Sequence, residues 1–551
     1  MDIPSLFMIP SAVSSGKVHS VFPNSTDADF DFNRDSDATR VNSKGLIERV
    51  GYYGSEEITN GNFDTDTSSW FGDSGASLTW QSNKSVLVAT TDDATFGIAQ
   101  GSVLTSGKTY RVLFRFKPNN TTTFRVRLGA SGSGQFSTTS FTLNEWNDVD
   151  FVGVANGTTF EIGTVGGSIS NFYLDNVSVK EITGDRARLN YEIEGGLVNT
   201  KPSLLLEPQS TNLVTYSEDF SQSYWVKSGA SVTSGFVSPD GTNNAYKLVE
   251  DSSNSRHFIN STEFSTPDTV YSSSVFVKPN GRNKIALREN AQTGNYASFN
   301  LSNGTLIATN GVSASIELMF NGWYRINYQI TSGASIILGF ELLSDSYTSG
   351  DPNSNPYQGD GLSGIYIFGA QVESQSYATS YIPTNGSTQT RAAETCNGAG
   401  TSSILPSEEG ILYAEIAALA NDSTLRVITL GDNSSSNAVS IQLGNPNQIT
   451  LYVNSGGVNQ CAIVASVTTL AYNKCAIRYK QNNFSAYVNG TKVGVDTSGS
   501  TFASGALNRI NFDIGYSSTS AFYGKVRDIR VYNTKEMTDS EIDILLTKIT
   551  S

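Results

Sequence analysis

Two histidines in 551 residues, His19 and His257, leave almost no material for a Ser-His-Asp relay or a histidine-rich metal site. Glu192 and Glu194 share one face of a short strand pattern, and paired carboxylates are the tools of glycan hydrolysis. No motif marks them as such a pair, so cleavage chemistry is not expected of this chain. Binding chemistry has more to work with. Aromatic faces flanked by amides and carboxylates hold sugar rings, and Trp70, Trp80, Trp146, Trp225 and Trp323 offer them. Trp146 and Trp323 recur at matching positions of an internal repeat, where a tryptophan is more often core than ligand face. Trp80 has no such counterpart and is the better platform, with Trp70 and Trp225 behind it. Arg111, Arg115, Lys117, Arg125 and Arg127 form an outward basic set that could meet an acidic glycan or an acidic neighbouring subunit. A solvated outer face is the ordinary role of such a set.

These residues need elements to hold them, and composition names the elements. Charged residues are few (16%), glycine is abundant (50 residues), and aromatic and β-branched residues alternate with Gly/Ser/Asn turns. That describes an all-β chain of antiparallel sandwiches. A net charge of −15 argues against non-specific binding to nucleic acid or anionic membrane. Cys396, Cys461 and Cys475 are too few for a disulfide framework and read as buried free thiols, although Cys461 and Cys475 would pair if adjacent strands met. The opening MDIPSLFMIPSAVSSGKVHSVF has no basic region before its short apolar run, so neither a signal peptide nor a membrane span is expected.

Period-two alternation locates strands. Thr109–Lys117 puts Tyr110, Val112, Phe114 and Phe116 on one face and Arg111, Arg115 and Lys117 on the other; Thr123–Gly129 does the same with Phe124, Val126 and Leu128. A second copy of this plan follows. ITNGNF…SSW, Tyr110, Lys117-Pro118-Asn119, Asn144-Glu145-Trp146 and FYLDNVSVKE recur as TYSEDF…SYW, Tyr271, Lys278-Pro279-Asn280, Asn321-Gly322-Trp323 and IYIFGAQVE. Further on, Asn489-Gly490 predicts a tight hairpin. Thr538–Glu541 is a capping box before Ile542, Leu545, Leu546 and Ile549, which predicts the one helix. Leu204–Leu206, between Pro202 and Pro208, reads as a strand buried on both faces.

The segments MIPSAVSSGKVHSVFP…DFDFNRDSDATRVNSKGLIERV, RLNY…KPSLLLEPQSTNLVTYSEDF and QVESQSYATSYIPTNGSTQTRAAET together resemble a group of tailed-phage virion proteins. These are generally labelled tail-fibre or structural proteins with lectin-like domains. The part from Glu56 to Thr183 is similar to jelly-roll carbohydrate-binding modules. FSAYVNGTKVG, FYGKVRDIRVYN and TDSEIDILL resemble the laminin-G/concanavalin-like sandwich. The resemblance implies three sandwiches, two jelly-roll-like and one concanavalin/laminin-G-like, with a short C-terminal helix. The expected divisions are an arm at 1–53 packing with a connecting segment at 184–212, an inserted module at 54–183, a second jelly roll at 213–383, a linker at 384–408 and the laminin-G-like unit at 409–551. In jelly rolls of this kind a structural Ca²⁺ often joins the first and last strands, which would make Asn60, Asn62, Asp64 and Asp175 its ligands here; no other cofactor is expected. The implied role is a non-enzymatic virion protein, made in the host cytoplasm, that joins other virion proteins as a homotrimer and contacts cell-surface glycans. The alternatives are a purely structural head fibre or decoration protein and, third, a glycan-degrading spike.

Overall fold

The computed structural model describes residues 3–73, 75–90, 97–120, 123–129, 136–138, 141–164, 171–184, 186–265, 269–289, 294–332, 335–515 and 520–551. The alternating patterns become antiparallel strands in three sandwiches. In the first, Tyr110, Val112, Phe114 and Phe116 of Thr109–Pro118 enter a core that Phe124, Val126 and Leu128 reach from the opposite sheet. One sheet runs Asn147–Val154, Thr109–Pro118, Asn171–Gly184, Ser85–Ala89, Ser77–Gln81, with Tyr52–Glu56 also beside Asn171–Gly184; the other runs Phe136–Thr138, Phe124–Leu128, Phe160–Thr164, Ile98–Gln100, Phe71–Gly72. The second sandwich repeats both orders strand for strand: Tyr324–Ser332, Thr269–Asn280, Gly364–Glu373, Ala245–Glu250, Ala230–Phe236 in one sheet, and Tyr296–Asn300, Lys284–Arg288, Gly339–Leu343, His257–Ser261, Trp225–Ser228 in the other. Its additions are Thr305–Asn310 and Ser313–Leu318, which extend the two sheets by one strand each. Local geometry repeats as well. Phe63 packs on Trp70 at 5.4 Å and Phe220 on Trp225 at 4.9 Å. Asn144 (φ 61°) and Asn321 (φ 58°) both take the left-handed turn that asparagine tolerates.

The third sandwich is built from three distant parts of the chain. Its eight-stranded sheet runs Arg188–Asn190, Ser203–Leu206, Gly524–Asn533, Glu409–Ala418, Asn473–Lys480, Phe484–Val488, Thr491–Asp496. Leu6–Met8 pairs with the far half of Gly524–Asn533 (Leu6 opposite Val531), while Leu204 stands opposite Val526 on the near half. The nine-stranded sheet runs Val13–Ser14, Lys17–Val18, Phe30–Asn33, Thr395–Ala399, Arg509–Asn511, Arg426–Gly431, Ala438–Leu443, Gln448–Ser455, Val458–Ser466. Leu6, Met8, Val18, Phe30, Phe32, Leu204 and Leu206 therefore share one core with Leu412, Ile428 and Val531. The helix Asp539–Thr550 starts at the Thr538/Glu541 capping box and lays Ile542, Leu545 and Leu546 on Ile411, Tyr413 and Tyr487, over the outer side of the eight-stranded sheet.

Leu204–Leu206 is buried as its sequence implies: free edge positions on Gly524–Asn533 capture it, and pairing there buries all three leucines. The stretch 384–408 is no linker, since Gln389–Arg391 pairs with Ser210–Asn212 and Thr395–Ala399 is an inner strand of the nine-stranded sheet. The hairpin Thr39–Val41/Ile47–Arg49 lies against the connecting segment through Tyr191 N to Val41 O (3.0 Å) and Val41 N to Asn190 Oδ1 (2.9 Å).

A lattice of buried charges ties these parts together. Arg188 donates Nε to Glu394 Oε1 (2.8 Å), Nη2 to Glu394 Oε2, and Nη1 to Glu207 Oε2 (2.7 Å) and Ser380 Oγ (2.6 Å). Arg34 adds Nη1 to Glu394 Oε1 (2.9 Å) and Nη2 to the Val50 carbonyl (2.9 Å). Arg391 reaches Glu207 at 3.1 Å and donates to the Pro208 carbonyl at 2.7 Å. Burial alone would raise both carboxyls, but Arg391 and Arg188 hold Glu207 well below the usual range, and Arg188 and Arg34 hold Glu394 below it.

Removing one partner strands the others' charges in a dry site, so Glu394→Gln is expected to cost about 3–5 kcal/mol in denaturant unfolding. Because both carboxyls titrate lower in the folded chain, their contribution is complete above the unfolded carboxylate range of about 4.3 and drains away as pH falls below it. Unfolding midpoints should be insensitive to Glu207 and Glu394 between neutrality and pH about 5, and the wild-type advantage over Glu394→Gln should shrink only in stronger acid.

Candidate functional site

Of the tryptophans singled out from sequence, Trp70 and Trp225 are core. Each donates its indole N–H to a backbone carbonyl, Trp70 to Asn60 (3.0 Å) and Trp225 to Tyr216 (2.9 Å), beneath Phe63 and Phe220 respectively. Neither presents a face to a ligand, which corrects their reading as platforms. Trp80 is 38% exposed on the edge strand Ser77–Gln81, with its N–H on the Phe63 carbonyl at 2.8 Å. Trp146 and Trp323 part company despite their matching positions. Trp323 is 2% exposed beneath Ile47 and Ile193, whereas Trp146 stays half-buried with the Arg115 guanidinium 4.4 Å from its ring centre.

The five basic residues do not make one face. Arg111, Arg115 and Lys117 lie on Thr109–Pro118, and Arg125 and Arg127 lie on Phe124–Leu128 in the other sheet, so the two groups look outward from opposite sides of one core. Several are also neutralised in place. Arg111 grips Asp150 with two hydrogen bonds (3.0 and 2.7 Å), Arg127 meets Glu161 at 3.2 Å, and Arg115 stands between Asp148 and Asp175 in the register.

The four residues implied as calcium ligands are engaged elsewhere in part. Asn60 donates its amide into its own loop at Asp66 Oδ1 (3.1 Å), and Asp64 pairs with Lys84 at 2.8 Å. Asn62 is exposed, and burial raises Asp175, with Asp64 near enough to add to it. Among the described residues no group of three or more His, Cys, Asp or Glu is placed to hold a metal ion. Glu192 is spent on Arg527 (2.8 Å) and Tyr472, and Glu194 on Asn199 (3.0 Å), so the two do not face a common substrate. The cysteines are free and buried, with Cys461 and Cys475 in opposite sheets; burial pushes Cys461 up to about 11. A cleft beside Asn421, Asp422 and Thr469 is bridged by the Asp422–Arg426 pair at 2.8 Å.

The surface that sequence reading missed is the outer side of the nine-stranded sheet. Residues directly opposite one another cross it in one row, Ser14, Lys17, Asp31, Asn397, Asn511, Thr429, Ser440, Tyr452 and Ala462. A parallel row holds Gln442, Thr450 and Val464. Side-chain amides fix its middle: Asn397 donates to Asp513 Oδ2 (2.8 Å), and Asn511 donates to Asn433 Oδ1 (3.0 Å). Burial raises the Asp513 carboxyl. From Thr429 and Ser440, which are buried, the face opens through half-buried Gln442, Thr450 and Tyr452 to exposed Ala462 and Val464. A signal for it was present, because positions 433 to 473 contain no Asp, Glu, Lys or Arg in a chain that is 16% charged. His19 is the second omission: on the same face, Nδ1 lies 2.8 Å from Asp29 Oδ2 and Nε2 lies 2.8 Å from Ser14 Oγ.

Residues 414–543 match the model of the concanavalin A-like lectin/glucanases superfamily. That stretch lacks the strands which the arm, Arg188–Asn190, Ser203–Leu206 and Thr395–Ala399 add to the same sandwich. No curated protein matches the chain. Among solved structures, similarity is found to the Ruminococcus gnavus IT-sialidase CBM40 bound to α2,3-sialyllactose (15% identity, 28% of this chain and 88% of that one, TM-score 0.24). It is also found to the CBM22-1–CBM22-2 tandem of Paenibacillus barcinonensis Xyn10C (13%, 59% and 98%, 0.21) and to mouse laminin α1 domains LG4–5 (10%, 51% and 86%, 0.19). The chain is an all-β protein with a concanavalin-like C-terminal domain.

The two matched tryptophans give a direct check. Trp323→Ala should cost about 3–5 kcal/mol in chemical denaturation by emptying a buried site, while Trp146→Ala, at a half-buried surface position, should cost well under half of that.

Proposed function

We propose that this chain is an appendage subunit of a tailed-phage virion that contacts cell-surface glycans through the outer face of its nine-stranded sheet. The observation that carries the reading is the composition of that face. It sets side-chain amides, hydroxyls and one tyrosine in adjacent rows, with no formal charge at Thr429, Ser440, Gln442, Thr450, Tyr452, Ala462 or Val464. Sugars are recognised by such groups, with apolar ring faces on an aromatic and hydroxyls on amides. The uncharged half of the face favours neutral glycans over acidic ones, because a carboxylated sugar would find no cation there to offset its desolvation. The match to lectin-like sandwiches over 414–543 supports the domain type, and the phage assignment rests on the segments RDSDATRVNSKGLIE, KPSLLLEPQSTN and SYIPTNGSTQTR. Glycosidic cleavage is not part of this reading, since Glu192 and Glu194 are each committed to other partners.

A glycan array with the full chain tests it. Binding to neutral glycans is expected, weakened about tenfold or more (~1.4 kcal/mol) in Tyr452→Ala and little changed in Trp146→Ala. Absence of binding to any glycan, or equal loss in both variants, would overturn it.

A further inference from the structure

Two histidines leave the chain little material for nucleophilic chemistry, yet the arm places one of them, His19, between a serine and a carboxylate. Three short segments meet on the outer face of the nine-stranded sheet: Val13–Ser14, the residues after Lys17–Val18, and the approach to Phe30–Asn33. His19 stands across from Asp29 in the continuation of the register that sets Lys17 opposite Asp31. Its Nδ1 is 2.8 Å from Asp29 Oδ2 and its Nε2 is 2.8 Å from Ser14 Oγ. Asp29 is buried and has its other oxygen fixed by the Ser20 N–H at 2.8 Å, so the carboxylate is oriented independently of the histidine. With Nδ1–H donated to Asp29, Nε2 is left as the acceptor of the Ser14 hydroxyl proton.

We propose that Ser14, His19 and Asp29 form a nucleophilic relay that hydrolyses carboxylic esters, and that its natural substrate is an acyl ester, such as an O-acetyl group, on the glycan held by the same sheet face. The choice of glycan rests on the function proposed above; the ester chemistry does not. Ser14 Oγ bonds to the acyl carbon as its proton passes to His19 Nε2. The carbon–oxygen bond to the sugar then breaks, and the departing alkoxide takes that proton. Water next attacks the acyl-Ser14, again giving its proton to His19, and releases the carboxylic acid with the Ser14 hydroxyl restored. No oxidant, reductant or metal enters the balance. Asp29 does not change protonation; it keeps the imidazole in the working tautomer. The Ser15 and Gly16 amides, in the turn that follows Ser14, donate to no acceptor among the described residues. His19 is 38% exposed at the side chain, so the site is wet and its fields are screened. That limits it to esters, whose leaving group needs less help than an amide's. Ser14 occupies the same row that crosses Asn397, Asn511 and Tyr452, so a chain of sugars laid along that row would bring its substituents to the relay.

The test uses the full chain and a fluorophosphonate probe, with mass spectrometry to locate the label, beside hydrolysis of p-nitrophenyl acetate. Labelling at Ser14 is expected, lost in Ser14→Ala and in His19→Gln, and retained in Ser15→Ala. Ester hydrolysis should fall at least about 10²-fold in the first two variants. A single cooperative unfolding transition in each variant serves as the folding control. Labelling at another serine, or hydrolysis unchanged in a folded Ser14→Ala, would overturn the relay. Loss of glycan binding by wild type with Ser14 still labelled would overturn the glycan reading and leave the relay standing.

Discussion

The structure depends on one interaction, the dry lattice of Arg34, Arg188 and Arg391 with Glu207 and Glu394. Each ion costs several kcal/mol to strip of water, and the lattice repays that only because nearly every oxygen and N–H in it has a partner. Such a site tolerates one assembly and no near relative of it. Arg34 comes from the arm, Arg188 and Glu207 from the connecting segment, and Arg391 and Glu394 from beyond the second sandwich; the Arg34–Glu394 pair spans 360 positions. Hydrogen bonds from the same arginines to the Thr39, Val50 and Pro208 carbonyls fix where the backbone crosses. Once those crossings are set, Leu6–Met8 and Ser203–Leu206 have to fall on the edge of Gly524–Asn533, and Phe30–Asn33 on Thr395–Ala399.

RDSDATR carries Arg34, ARLNY carries Arg188, LLLEPQSTN carries Glu207, and SYIPTNGSTQTRAAET carries Ser380, Arg391 and Glu394. Together these residues make a structural clamp. The first sandwich stands outside the clamp. It enters at Tyr52 and leaves at Gly184, which are paired with each other, so a whole domain hangs between two adjacent strand ends without disturbing what lies beneath.

What the sequence made legible was local. Alternation at Thr109–Lys117 identified a strand and its inward face, Asn489-Gly490 a hairpin turn, and Thr538–Glu541 a helix start, because each is decided within a few residues. The repeat was legible through landmarks, and identical strand orders follow from it. Which sheet a strand joins was not legible. Arg115 and Arg127 look alike in their alternation, but one belongs to each sheet, so a single basic face dissolved into two largely paired ones. The fates of Trp146 and Trp323 were hidden for the same reason: the cover over Trp323 comes from Ile47 and Ile193, far away in the chain. The polar row across the nine-stranded sheet joins residues from Ser14 to Tyr452, and only the run without charge at 433–473 hinted at it. Counting histidines did not reveal the Ser14–His19–Asp29 hydrogen-bond chain, because tertiary pairing alone brings the three together.

Everything proposed for that sheet face requires the arm to be a permanent part of the C-terminal sandwich rather than a loosely attached leader. Hydrogen exchange followed by mass spectrometry on the intact chain measures this directly. Peptides covering Leu6–Met8, Phe30–Asn33, Ser203–Leu206 and Gly524–Asn533 should share one high level of protection and lose it together as denaturant rises, while the first sandwich opens as a separate unit. Rapid exchange of Leu6–Met8 and Phe30–Asn33 beside a fully protected Gly524–Asn533 would contradict the account.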